Sequence, residues 1–270
     1  MLQRMNTSRT ALLVSAAFLL AACGEKSMPA NDAAEQAGSM PEVMAEPTLA
    51  EKLAAESRPA EDRARDAGRK PADVIDFLGI EPGMNVLDVL ASAGWYTEVL
   101  SIAVGPSGHV SMQNTPGGLQ AREGATEKAV SARLANDHLP NVSRLDKEIV
   151  EIAPEDGPFD AAITALNLHD IYNRNGEDGA VAVMTAIYGA LKPGGIFGVI
   201  DHEGVAGNNN SDLHRMLKAD AIRVAEAAGF IVEAESDVLH SDQDDMTQNI
   251  RAEGLRGFTS RFVLRLRKPG

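Results

Sequence analysis

At 270 residues and 44% hydrophobic content, the chain can bury a sizeable core and has the composition of a globular protein. Its 25 Lys and Arg residues face 39 Asp and Glu residues, which gives a net charge of −14. Because nucleic acids and anionic membrane surfaces attract cationic side chains, this charge disfavours both as non-specific partners, and we expect no nucleic-acid partner. The single cysteine, Cys23, excludes an intrachain disulfide, a cysteine-rich zinc site and a CxxC redox pair.

Residues 1–22 have the pattern of an export signal. Arg4 and Arg9 precede an apolar run over residues 11–22 that is short for a membrane span. The run ends in LAAC at residues 20–23, which resembles the bacterial lipobox, whose cysteine becomes the lipidated first residue. The resemblance implies an exported protein anchored through lipidated Cys23, in the outer membrane facing the periplasm. A simple signal peptide cleaved nearby and a short uncleaved anchor are the alternatives.

The next two segments differ in composition. Residues 23–57 are rich in Ala, Glu, Met, Pro and Ser without strand-like alternation, which predicts a flexible tether, with a helical turn or two over 48–56. Residues 58–71 are dense in charges of both signs. They indicate either a contact with a ligand carboxylate or a partner, or a solvated helix with local ion pairs. We therefore predict a signal peptide over 1–22, a tether over 23–57 and one domain over 58–270.

Within the domain, strands and helices alternate in chain order. Pro71 is expected in the first turn of a helix that ends at Leu78. Strands are predicted over 85–90, 109–113, 142–145, 159–166, 196–200, 230–238 and 261–267. Helices are predicted over 96–104, 125–136, 178–191 and 213–229, with a glycine-containing loop over 115–124. This alternation predicts a largely parallel sheet with helices on both faces.

The domain is organised around residues 85–97, which read as a buried strand, a small-residue turn and a helix start. Asp88 lies in the strand, and the turn is Ala91-Ser92-Ala93-Gly94. In open α/β sheets, ligands bind where such strands end. Small side chains let the backbone approach the ligand, and amides at the helix N-terminus meet an anionic group.

The ordered set of motifs resembles class I S-adenosylmethionine-dependent methyltransferases. It comprises the strand with Asp88 and its turn, FD at 159–160, LKPGG at 191–195 and AGF at 228–230. More narrowly, RKP at 69–71, GWYT at 94–97, HD at 169–170, DH at 201–202, HR at 214–215 and RFVL at 261–264 resemble an uncharacterised group of secreted predicted methyltransferases. The resemblance implies an α/β fold with a Rossmann-like seven-stranded sheet, mostly parallel with an antiparallel closing strand.

The resemblance also implies S-adenosylmethionine as cofactor. The expected contacts are Asp88, Ala91, Ala93, Gly94, Tyr96, Thr97, Asn114, Glu148 and Asn167. Asn114 stands where the family commonly has an acid for the ribose hydroxyls, and Glu148 where an acid often lies near the adenine amino group. The family's usual pattern is acidic-x-Gly-x-Gly-x-Gly, whereas here Asp88 is followed by Leu90, Ala91 and Ala93, and only Gly94 is kept.

Polar residues follow the fourth and fifth predicted strands, where an open sheet exposes its site. His169 and Asp170 follow strand four, and Asp201 and His202 follow strand five. A histidine with a near-neutral pKa can take a proton from an acceptor hydroxyl or amine. We therefore predict His169, Asp170 and His202 as catalytic residues acting on a small-molecule acceptor, with no metal assigned. Loop-capping roles and a divalent metal held by the His/Asp set remain as alternatives.

Two functions from different classes fit these observations. The first is methyl transfer to an unidentified acceptor. The Asn-Pro-Pro-aromatic motif of many N-methyltransferases is replaced by NLHD at 167–170, which disfavours amino groups of DNA or protein amides as acceptors. The second is a non-catalytic, lipid-anchored binding or structural module, favoured by the glycine-poor turn and by export away from the cytoplasmic cofactor. Nicotinamide-dependent oxidoreduction is weaker, because the GxGxxG glycines are missing.

Overall fold

The structure is a computed structural model that describes residues 46–270. The predicted signal peptide, the lipidation site Cys23 and most of the predicted tether lie outside the described residues. Within residues 46–270, none of the helices combines the length and apolar character that a membrane crossing requires.

The described chain folds around one seven-stranded sheet. Its strands are β1 (Asn85–Val89), β2 (His109–Asn114), β3 (Val142–Asp146), β4 (Phe159–Ala165), β5 (Leu191–His202), β6 (Ile231–Ser236) and β7 (Arg261–Arg267). Their spatial order is β3-β2-β1-β4-β5-β7-β6, and every neighbouring pair is parallel except the two that involve β7. The fold class predicted from the sequence is confirmed, including the single antiparallel strand.

Helices cover both faces of this sheet. They are α1 (Leu49–Leu53), α2 (Ala60–Arg63), α3 (Asp66–Arg69), α4 (Pro71–Leu78), α5 (Trp95–Val104), α6 (Pro116–Leu134), α7 (Leu168–Ala190) and α8 (Lys218–Ala227). Because side chains alternate along a strand, Leu87 packs with the α7 and α8 cluster while Val86 packs with the α4 and α5 cluster. The carboxyl ends of β1, β4 and β5 therefore meet along one sheet edge that the helices leave accessible.

Three helix starts differ from the sequence prediction. α7 begins at Leu168 rather than at 178, and Gly176, with φ of 71°, interrupts it. α6 begins at Pro116, inside the predicted loop, and breaks at residues 121–124. α8 begins at Lys218 rather than at 213. Contacts from elsewhere in the fold contribute to these boundaries; in α7, for example, the N–H of His169 donates to Asp201 of β5.

Residues 46–57 of the predicted tether lie in the folded unit. α1 begins after Thr48, whose hydroxyl accepts a hydrogen bond from the Glu51 N–H at 3.3 Å, while the Glu51 carboxylate accepts from the Thr48 N–H at 2.7 Å. Leu53 is buried in the cluster formed with α4 and α5. The folded unit thus includes residues on the N-terminal side of the predicted boundary at residue 58.

Candidate active site

The turn after β1 adopts an unusual backbone. Leu90, Ser92 and Gly94 have φ angles of 54°, 53° and 83°. A left-handed conformation is costly for Leu and Ser, so outside contacts must hold it. Gln113 on β2 provides two of them, because its side-chain Oε1 accepts from the Leu90 N–H at 2.8 Å and its backbone carbonyl accepts from the Ala91 N–H at 2.9 Å.

Asn114 provides two further contacts with this turn. Its Oδ1 accepts from the Ser92 N–H at 2.9 Å, and its Nδ2 donates to the Ser92 carbonyl at 3.1 Å. The side chain is buried. Both ends of the amide therefore hold the turn in shape.

Gly94 has a positive φ, and the side chains of Arg133 and Met112 lie close to its Cα. A Cβ there would stand 2.8 Å from both Arg133 Cδ and Met112 Cε. Arg133 crosses the turn, donating through Nε to the Ala93 carbonyl at 2.5 Å and pairing with Asp62 at 2.6 Å and with Glu98. Both acids are buried, so Arg133 neutralises them and ties α2, α5 and α6 to the turn.

Gly94→Ala should lower the free energy of unfolding by about 1–3 kcal/mol, because the new Cβ meets Arg133 and φ stays positive. Urea denaturation followed by circular dichroism measures the change. Gly117→Ala is the matched control: Gly117 lies in α6 and has nothing within 4 Å of its added Cβ, so its variant should be as stable as the parent. Equal midpoints and slopes for both variants would contradict this account of the turn.

Asp88 lies beneath the turn and is 3% exposed. The Thr97 hydroxyl donates to Asp88 Oδ2 at 2.6 Å, which joins β1 to the first turn of α5. Burial raises the pKa of Asp88 to about 7, and the opposing effects of the Thr97 hydrogen bond and the Arg69 charge only partly offset it. Asp88 therefore changes its charge near neutral pH.

Two cavities meet beside the turn. The small cavity, about 190 Å³, is lined by five of the predicted cofactor contacts: Asp88, Ala91, Ala93, Tyr96 and Asn167. The large cavity, about 820 Å³, is lined by residues of α3, by His202 and by the segment 250–261. Arg65, Arg69 and Leu166 line both cavities, which makes them adjacent.

The remaining predicted cofactor contacts lie outside the lining of both cavities. Gly94, Thr97 and Asn114 do not line either cavity, and they support the lining residues through the contacts described above. Glu148 is exposed just before a short 3-10 turn at 149–151. The structure therefore does not bring Glu148 to the turn with the other predicted residues.

The charged segment 58–71 folds over the turn and surrounds Trp95. The guanidinium carbons of Arg69, Arg65 and Arg58 lie 4.5, 5.7 and 5.9 Å from the indole centroid, and the indole N–H donates to the Asp62 carbonyl at 3.0 Å. Of the two interpretations of this segment, its position on both cavities favours a ligand contact over a purely solvated helix.

Asp201 organises the histidine cluster, although it is not among the residues predicted to be catalytic. Its carboxylate accepts from the backbone N–H groups of His169 and His202, each at 2.7 Å, and contacts His169 Nδ1 at 2.7 Å. Burial disfavours the charged form of His169, but the hydrogen bond and the charge of Asp201 prevail and raise the pKa of His169. The DH pair at 201–202 was the available sequence signal for this residue.

His202 is the predicted catalytic residue that lines the large cavity. Its Nδ1 lies 2.8 Å from the Thr259 hydroxyl, which also accepts from Arg261 Nε at 3.2 Å. Among residues 46–270, Nδ1 is the acceptor available to the Thr259 proton, since Arg261 only donates, and we therefore assign the ring proton of His202 to Nε2. Burial, with the nearby charge of Arg261, holds the pKa of His202 well below its usual range, so the ring is neutral.

Asp170 and His214 lie on the other side of His169. Asp170 Oδ1 is 3.6 Å from His169 Nε2 and 3.3 Å from His214 Nδ1. Each of the three residues offers one atom that could bind a metal, and these three atoms lie within 4.8 Å of one another. Arg251 donates to His214 Nε2 at 2.8 Å, which leaves the ring proton on Nδ1 facing Asp170. Both His214 nitrogens are thus engaged: Asp170 forms a hydrogen bond with His214 and lies only at ion-pair distance from His169.

The predicted His and Asp residues therefore converge. The His169 ring centroid lies 5.5 Å from that of His202 and 6.0 Å from that of His214. His169 itself is 2% exposed and lies behind His202 rather than on a cavity wall. The geometry separates one cavity-facing histidine, His202, from the buried His169–Asp201 pair that supports it.

The chain is similar to known methyltransferases in sequence and in fold. No protein-family model matches the chain. Ubiquinone/menaquinone biosynthesis C-methyltransferases of Shewanella pealeana and Shewanella halifaxensis are 27% identical over 188 residues and 25% identical over 192 residues, each covering 67% of this chain and 69% of the relative. The crystal structure of an S-adenosylmethionine-dependent methyltransferase from Aquifex aeolicus superposes with a TM-score of 0.54 at 19% identity, covering 73% of this chain and 89% of that chain. The chain has the class I methyltransferase fold, for which these comparisons indicate S-adenosylmethionine as the cofactor.

Proposed function

We propose that the protein transfers a methyl group from S-adenosylmethionine to a small-molecule acceptor. The observation that carries the proposal is the pair of adjoining cavities. One lies against the predicted cofactor turn, and the other is walled by His202. Because the small cavity, about 190 Å³, is below the usual size of a ligand pocket, the cofactor would extend across the shared boundary into the large cavity, about 820 Å³, which also has room for an acceptor.

The residues of the small cavity fit this cofactor. Asn167 Nδ2 donates to the Ala165 carbonyl at 3.0 Å, and within residues 46–270 its Oδ1 has no donor and remains an acceptor for the ligand. Arg65 and Arg69 stand at the boundary and offer cations to the methionine carboxylate. Ala91 and Ala93 present small side chains, so the backbone of the turn stays accessible.

When bound, S-adenosylmethionine supplies an electrophilic methyl group. The chain's contribution is to hold the acceptor in line with it, because alignment can lower the barrier substantially. His202, with its proton on Nε2, orients the acceptor as a hydrogen-bond donor. His169 and Asp201 act as positioning residues, since Asp201 holds the backbone of His202 and the ring of His169.

Calorimetric titration with S-adenosylhomocysteine, paired with a transfer assay using radiolabelled S-adenosylmethionine, tests the proposal. We expect one binding site in the parent protein. His202→Gln should retain that affinity and lose transfer, which separates the acceptor side from the cofactor side. Absence of heat and of a thermal shift at millimolar ligand would contradict the proposal.

A non-catalytic binding module is the second candidate, and the state of Asn114 favours it. The amide at the end of β2 is neutral and both of its ends bind Ser92, whereas the family commonly has an acid at this position. Binding of S-adenosylhomocysteine without transfer to any of a broad panel of acceptors would support this candidate.

We also propose export and lipid anchoring through Cys23. The support is the sequence pattern of residues 1–23. Metabolic labelling with an alkyne fatty acid should mark the full chain and fail to mark Cys23→Ser. Equal labelling of both chains, or none of either, would contradict the proposal.

A further inference from the structure

The large cavity is cationic, although the chain carries a net charge of −14. Five arginines line it: Arg65, Arg69, Arg251, Arg256 and Arg261. Within residues 46–270, no acidic side chain belongs to its lining. A concave wall of one sign concentrates ligands of the opposite sign, so the cavity attracts anions.

Arg261 is the strongest element of this wall. It is 4% exposed, and its guanidinium donates only to neutral oxygens: Thr259 Oγ1 at 3.2 Å, the Gly68 carbonyl at 2.9 Å and the Gly257 carbonyl at 3.0 Å. No carboxylate in the described part of the chain forms an ion pair with it. A buried charge without a counterion is unfavourable, so a bound anion would stabilise Arg261 by supplying the counterion that it lacks.

Other buried arginines in the same fold are neutralised. Arg58 pairs with Asp66 at 2.6 Å, and Arg215 pairs with Asp244 at 2.8 Å. The contrast shows that the fold supplies carboxylates to guanidiniums that serve structure. Burial lowers the pKa of Arg69 to about 10 and also lowers that of Arg261, as expected where positive charge lacks a partner.

The cavity also has an apolar part. Leu166 and Ile250 line it, together with Phe258, which is 50% exposed. An exposed large aromatic side chain on a cavity wall is suited to an apolar ligand surface. The lining therefore matches a ligand that joins an anionic group to an apolar body.

We propose that the acceptor carries a carboxylate or phosphate group on an apolar body, and that Arg256 and Arg261 bind this anion in the large cavity. The identification of the ligand as the methyl acceptor rests on the proposed function. The anion site itself rests only on the residues that line the large cavity. His202, which shares the Thr259 hydroxyl with Arg261, lies on the same wall. It places a hydrogen-bond donor beside the bound anion.

Thermal unfolding of the full chain with sodium benzoate, phenyl phosphate and neutral benzamide tests the anion site, with sodium chloride at matched ionic strength. We expect saturable stabilisation by at least one anion and none by benzamide. Arg256→Gln should weaken anion binding roughly tenfold, the effect of losing about 1.4 kcal/mol. Arg122→Gln removes an exposed charge on α6, away from both cavities, and should bind like the parent.

A second arm separates the acceptor's anion from the cofactor's carboxylate. In protein saturated with S-adenosylhomocysteine, benzoate or phenyl phosphate should still add its own stabilisation. Loss of that increment would assign the anion site to the cofactor and overturn the proposal, as would equal effects of benzoate and benzamide or no effect of Arg256→Gln. Anion binding without any S-adenosylhomocysteine binding would refute the proposed function and leave the anion site standing.

Discussion

Asp201→Asn should lower the free energy of unfolding by about 3–5 kcal/mol, the usual cost of removing one partner from a buried charged pair. The carboxylate accepts three contacts, from two backbone N–H groups and His169 Nδ1. An asparagine keeps one accepting oxygen and turns an NH₂ group toward a donor. Equilibrium urea denaturation measures the loss.

The same substitution should lower the pKa of His169, since Asp201 is what raises it against the effect of burial. A histidine whose pKa is raised by folding adds stability below its unfolded pKa, and that stability disappears as pH rises through the folded pKa. Asp201→Asn should therefore lose more stability at pH 5 than at pH 9. Proton NMR titration of His169 checks the shift directly.

Asp242→Asn is the matched control for this prediction. Its carboxylate is fully exposed, and its ion-pair partner among residues 46–270 is His240, at 3.3 Å. Surface substitutions of this kind change stability by roughly 0.5 kcal/mol or less. If Asp201→Asn unfolds like Asp242→Asn, or if the His169 pKa is unchanged, the assignment of Asp201 as the organiser of the cluster is wrong.

Asp88→Asn should stabilise the protein above neutral pH by up to about 4 kcal/mol, the free energy that corresponds to a pKa of about 7 against the ordinary aspartate pKa of 3.8. The folded state holds the Asp88 proton more tightly than the unfolded state does. The stability associated with this proton is complete below about pH 4 and is lost as pH rises toward 7. Asparagine is always neutral, so the variant should lack this part of the pH dependence.

Urea denaturation between pH 4.5 and 8.5 compares the two chains. The Thr97 hydroxyl can still donate to the asparagine oxygen, so the structural link between β1 and α5 is kept. We expect the two stabilities to agree near pH 4.5 and to diverge toward pH 8.5. Parallel pH profiles would show that Asp88 is ionised in the folded protein throughout the range.

The strands were predictable because each is short and bounded by turn residues, with an apolar run in the central strand β4 and alternating residues in the edge strand β6. The start of α7 was not, because the N–H of His169 in its first turn is satisfied by Asp201 from β5, 32 residues further along the chain. Sequence periodicity reports only local contacts. A helix capped by a distant carboxylate carries no signal near its own N-terminus.

The location of the site could be predicted from the sequence, but the roles of some of its residues could not. The turn and the histidine cluster followed from strand ends, since parallel strands bring their carboxyl ends to one edge. The role of Arg261 was hidden because it depends on the antiparallel register that pairs Arg261 with His202. The hydrogen bonds by which Asn114 holds Ser92 at its positive φ were also not predicted, because they join β2 to a turn that precedes it in the chain.

The position of β7 has a consequence for how the protein matures. It is the seventh strand in chain order, yet it lies inside the sheet between β5 and β6 and contributes Arg261 beside His202. During synthesis the sheet stays open at this gap until β7 emerges, and such non-local pairing is slow to form. The protein would then bind an anion only after β7 has joined the sheet. Anion binding would therefore report that the fold is complete.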